Sequence, residues 1–162
     1  MRPLARVRPL PRHLLVATAS AALAASVGCS DDASSDGVDC ALESRADEIV
    51  AGMEKAGDRS VVTFRLVSAS PSPPRRPDNT WVMMLQSGGN PLLGATVTTT
   101  LFMPDHNHGT QIKPVISPTG MPGEYKFEPL NLWMPGLWEV TFEATPVGGS
   151  KDRAVFRVCI PD

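Results

Sequence analysis

The chain has 162 residues, enough for one domain, with 42% apolar and 20% charged side chains, the balance of a globular fold rather than a disordered one. Its formal charge of −2 comes without any basic block after residue 12, which argues against a nucleic-acid grip or a polybasic hold on anionic lipid. Three cysteines and three histidines are few enough to account for one by one.

Residues 1–28 read as a lipoprotein signal peptide, not as fold. Arg2, Arg6, Arg8 and Arg12 make a positive start, and residues 14–27 form an apolar, Ala-rich run that ends at Gly28-Cys29. The run is short for a membrane span, which needs about 20 residues. A cysteine directly after a small residue at this point resembles the bacterial lipoprotein signal. That resemblance implies cleavage before Cys29 and acyl chains on its thiol, anchoring a periplasm-facing protein to a bacterial membrane. The other reading is an ordinary cleaved signal with an incidental cysteine. Cleavage removes four arginines and no acid, so the body from Cys29 onward carries 11 − 17 = −6. Residues 29–39, rich in Ser, Asp and Gly, read as a tether of about 35 Å at full extension.

The folded part is predicted over residues 40–162. Cys40 opens it and Cys159 stands three residues from its end. In an oxidising compartment such a lone pair is expected to form a disulfide. A redox or metal-binding pair is the alternative, though no CxxC spacing is present. Residues 41–57 mix helical spacing (Leu42, Ala46, Ile49, Val50, Met53) with Gly52 in mid-run. They predict a short helix or turn near residues 42–48, then extended chain.

From Val61 onward the pattern alternates with period two. Val62, Phe64 and Leu66 share one face, as do Trp81, Met83 and Leu85, then Val97, Thr99, Leu101 and Met103. Tyr125 and Phe127 follow, then Trp138, Val140, Phe142 and Ala144, and finally Phe156, Val158 and Ile160. Pro- and Gly-rich breaks at residues 70–74, 87–91, 118–120 and 146–149 separate the runs. The prediction is an all-β domain, an Ig-like antiparallel β-sandwich of about seven strands.

One stretch carries candidate chemistry: Met103-Pro104-Asp105-His106-Asn107-His108-Gly109, which holds both histidines that remain after the signal. Two imidazoles two residues apart can face one side of an extended segment, and a thioether beside them favours a soft metal such as Cu(I). Met121 and Met134 lie in turns expected to converge on the same end, giving a ligand set of Met103, His106, His108, Met121 and Met134. Zinc would want a carboxylate, and Asp105 is adjacent. The competing reading is a structural turn in which Asp105 and Asn107 shape the loop and the imidazoles bond its backbone. No serine or cysteine has the surroundings of an activated nucleophile, and the Glu139/Glu143 pair falls on an outward strand face, so no enzymatic role is expected. Trp81, Trp133 and Trp138 read as core or edge packing.

The run from Ala95 to Gly109, with Gly123-Glu124-Tyr125 and Met134-Pro135-Gly136-Leu137-Trp138 later, resembles the YtkA-like domain family. There a strand ends in a Met-Pro-x-x-x-His turn and is followed by Gly-x-Tyr and Met/Pro-Gly-x-Trp strands. The resemblance covers about residues 79–159. It implies a small extracytoplasmic Ig-like domain near copper handling, with methionine in many members where His106 stands here. The resulting expectation is a monomer, anchored through Cys29, that binds copper for buffering or transfer to an envelope protein. The alternative is an adhesion or assembly module without metal.

Overall fold

Along Asp152–Ile160 every second side chain is buried, and along Gly136–Thr145 the same period recurs with Trp138, Val140, Phe142 and Ala144 inside. Such a ribbon hides its apolar row only against a second apolar sheet. The computed structural model describes residues 37–162, which belong to one compact unit. The stretch read as a signal peptide, Cys29 and the expected tether as far as residue 36 lie outside the described residues.

Ten strands are present among the described residues: β1 (Glu54–Ala56), β2 (Thr63–Ser70), β3 (Asp78–Ser87), β4 (Asn90–Pro91), β5 (Thr96–Met103), β6 (His108–Gly109), β7 (Val115–Pro118), β8 (Glu124–Asn131), β9 (Gly136–Thr145) and β10 (Asp152–Ile160). One sheet runs β1-β2-β3-β8-β7 with β4 paired to β3, and the other runs β10-β9-β5-β6. All pairings are antiparallel. The all-β sandwich expected from the alternation is therefore the fold. Seven strands have four residues or more, while β1, β4 and β6 are two- or three-residue additions.

The core lies between the sheets. Phe142 of β9 meets Phe127 of β8 edge-on at 4.7 Å and Phe156 of β10 edge-on at 5.6 Å, and stacks with Trp81 of β3 at 6.0 Å. All four rings are fully buried, so one aromatic cluster bridges both sheets. The Trp81 indole N–H finds no hydrogen-bond partner there.

Residues 41–57 form no helix. Cys40 to Ala46 make successive turns closed by Leu42 N–H to Asp39 O at 3.1 Å and Ala46 N–H to Glu43 O at 3.2 Å. The chain then runs extended, with Asp47 N–H on the Arg157 carbonyl at 2.8 Å. The helical spacing misleads because Leu42 is 80% exposed. Cys40 is bonded to Cys159, which fixes this segment along the end of β10 instead.

Beyond Ala56 the chain wraps around Asp152. This carboxylate is buried and accepts backbone N–H groups from Arg59, Val61, Val62 and Arg153 at 2.8–3.0 Å. Burial raises its pKa, but the four donors outweigh that and hold it below the ordinary aspartate value. A side chain at Gly57 would collide with the Asp152 carboxylate, which is why glycine stands there.

Candidate functional site

The site is a rim built by the β5–β6 hairpin and the start of β9. β5 ends at Met103, residues 104–107 turn, and β6 returns from His108, with Asn107 at φ +53° in the left-handed region that asparagine tolerates. Met103 and His108 are directly paired across the ladder, so their side chains leave the same face. Met103 is fully buried. A Cβ at Gly136 would sit 2.9 Å from its methyl, and Gly136 itself has φ +122°. Only glycine there satisfies both the backbone and the methionine, which gives the Met134-Pro135-Gly136 sequence a physical reason.

His106 is exposed and His108 half-buried, with ring centroids 5.7 Å apart. An imidazole bound through nitrogen places its centroid about 3 Å from the ion, so two rings on one ion sit within about 6 Å of each other. The spacing fits. His108 Nδ1 lies 3.2 Å from the Gly109 carbonyl oxygen, which can only accept, so this contact favours Nδ1–H and leaves Nε2 as a free donor to metal. Trp133, 47% exposed, stacks on the His108 ring at 5.6 Å with a 25° tilt, and Trp138 meets it edge-on at 6.5 Å. The Trp138 indole N–H donates to the Met134 backbone carbonyl at 2.9 Å, which fixes the main chain of Met134 beside Trp138, and the half-buried Met134 side chain packs against the core.

Met103, His106, His108 and Met134 are thus gathered at one end of the sandwich. Met121 is not. It lies in the turn before Glu124, 61% exposed, while Met134 follows Asn131 at the far end of the same strand. Eight residues of β8 separate the two turns by roughly 25 Å. The expected convergence of Met121 with the others does not form, because its turn and that of Met134 flank opposite ends of one strand.

Asp105, the candidate oxygen ligand, is engaged by a guanidinium. Its two carboxylate oxygens accept from Arg45 Nη1 and Nη2 at 2.7 and 2.6 Å. Hydrogen bonding to that guanidinium holds the Asp105 carboxyl below its ordinary pKa. Among the described residues, no three His, Cys, Asp or Glu side chains gather closely enough to hold an ion by themselves. A metal on this rim therefore depends on thioether donors as well as the two imidazoles.

The cysteines and the paired glutamates have structural partners. Cys40 and Cys159 form the disulfide the cysteine count implies, with Cα atoms 5.5 Å apart. Glu139 pairs with Arg157 at 2.9 Å, and Glu143 with Lys151 and the Thr98 hydroxyl, each at 3.0 Å. Trp81 and Trp138 are core, as their alternation implies, but Trp133 is an exposed part of the rim. Its role and that of Arg45 have no sequence signal: each acts across the fold, on a residue 25 or 60 positions away.

The profile of the YtkA-like family matches residues 58–143, more than half of the chain and nearly all of β2 to β9. No curated protein and no solved structure matches the chain.

Proposed function

Because the chain belongs to the YtkA-like family, whose domains are typically extracytoplasmic, we propose that it is a non-catalytic envelope module that holds Cu(I) on the Met103/His106/His108 rim with Met134 behind it. Acyl chains on Cys29 anchor it to the membrane. The paired imidazoles at 5.7 Å, one of them with its Nδ1 engaged and Nε2 free, are the observation that carries this reading. Buried thioether on the same strand face supplies the soft donor that Cu(I) favours, and Asp105, the oxygen donor that would suit zinc, is occupied by Arg45.

A Cu(I) competition titration of the detergent-solubilised full chain is expected to give one ion per protein. The His106→Ala/His108→Ala variant is expected to lose affinity at least tenfold, since each nitrogen ligand contributes more than the roughly 1.4 kcal/mol that a decade represents. Equal stoichiometry and affinity in both proteins would end the copper reading.

Trp133 supports a second reading. A large indole left 47% exposed on the rim suits docking of an envelope protein, whether as the acceptor of the ion or as the sole business of the domain.

A further inference from the structure

We infer that Arg45 sets the metal selectivity of the rim by withholding Asp105 from it, an inference that rests on the copper reading above. Asp105 precedes His106 directly. Turned toward the imidazoles, its carboxylate would complete two nitrogens and one oxygen, a ligand set that suits Zn(II) with water in the fourth position. Both oxygens are instead taken up by the guanidinium, with Oδ1 on Arg45 Nη1 at 2.7 Å and Oδ2 on Nη2 at 2.6 Å, a two-pronged match that a lysine could not reproduce.

Arg45 is itself held. Its Nε and Nη2 donate to the Glu43 carboxylate at 2.9 and 2.6 Å, and its backbone N–H donates to Glu43 Oε1 at 2.9 Å. The turn that carries both residues begins at Cys40, which is bonded to Cys159. The guanidinium therefore stands as a fixed strut between Glu43 and the hairpin loop. With Asp105 engaged, the donors left on the rim are imidazole and thioether, which favours a soft monovalent ion over a borderline divalent one. The positive charge of Arg45 works the same way, since it repels a dication twice as strongly as a monocation.

The test is a pair of titrations on the full chain at low salt, Zn(II) against a chromophoric chelator and Cu(I) against a Cu(I) chelator. Arg45→Gln is expected to bind Zn(II) about fivefold tighter, the scale on which an exposed charge network holds a side chain, with Cu(I) affinity within about twofold of the parent. Arg45→Lys should fall between the two. Arg45→Gln/Asp105→Asn should return Zn(II) affinity to the parent value, because the released carboxylate is gone. A Zn(II) gain that is absent, or that survives in the double variant, would overturn the inference. If the parent takes no Cu(I) while Arg45→Gln gains Zn(II) through Asp105, the copper reading falls and the role of Arg45 stands. If the parent binds Cu(I) and Arg45→Gln shows no Zn(II) gain, the copper reading stands and the role of Arg45 falls.

Discussion

Serine at both Cys40 and Cys159 is expected to lower the stability of the domain by about 4 to 5 kcal/mol. The bridge closes a separation of 119 residues, and the loop-closure entropy it removes from the unfolded chain is about that large. Few other contacts hold the start of the domain. Val38 N–H reaches the Asp162 carboxylate at 2.7 Å, while Asp47 accepts from Arg157 N–H at 2.7 Å and from Lys55 at 2.5 Å. Without the bridge, residues 38–46 are held to the rest of the domain by these and by the exposed Arg45–Asp105 pair, and Arg45 loses the covalent anchor of its turn. Urea unfolding checks this. The midpoint should fall and the slope m should rise, since the unfolded chain expands once the cross-link is gone. A loss below about 1 kcal/mol would show that the bridge does not constrain the unfolded state.

The second large effect lies at Asp152. Alanine there strips an acceptor from four backbone N–H groups, among them that of buried Val62, and is expected to cost about 3 kcal/mol or more. Asparagine, which keeps one acceptor oxygen but no charge, should cost roughly half as much. The same site makes stability depend on pH. Because the folded pKa of Asp152 is depressed, its contribution is complete above the unfolded value of about 3.9 and is lost as pH falls further toward the folded value. Thermal melts from pH 6 to pH 2 should therefore drop more steeply for the parent than for Asp152→Asn. Parallel curves would exclude Asp152 as the source.

Much of the fold is legible because one signal dominates it. Period-two burial marks β2, β3, β5, β9 and β10, and the lone pair Cys40/Cys159 has one economical use in an oxidising compartment. The four residues of β7 are too few to show a period, and they end at Pro118. β8 continues past Pro129 because β7 stops pairing at Glu128, so the missing N–H costs no ladder bond on that side. At the site, the motif locates Met103, His106 and His108. Which turns share an end of the sandwich is a matter of strand direction. The strand through Tyr125 and Phe127 puts Met121 before its start and Met134 beyond its end, so strand length alone holds the two thioethers apart. Arg45 and Trp133 act through contacts made only once the sheets pack, so local pattern carries no trace of them.

The mixed donor set is most directly tested by copper-edge X-ray absorption on the Cu(I)-loaded full chain. Two nitrogen scatterers at about 2.0 Å and at least one sulfur at about 2.3 Å are expected, with the sulfur lost in a Met103→Leu/Met134→Leu variant. A spectrum of nitrogen and oxygen alone, unchanged by that variant, would contradict the account.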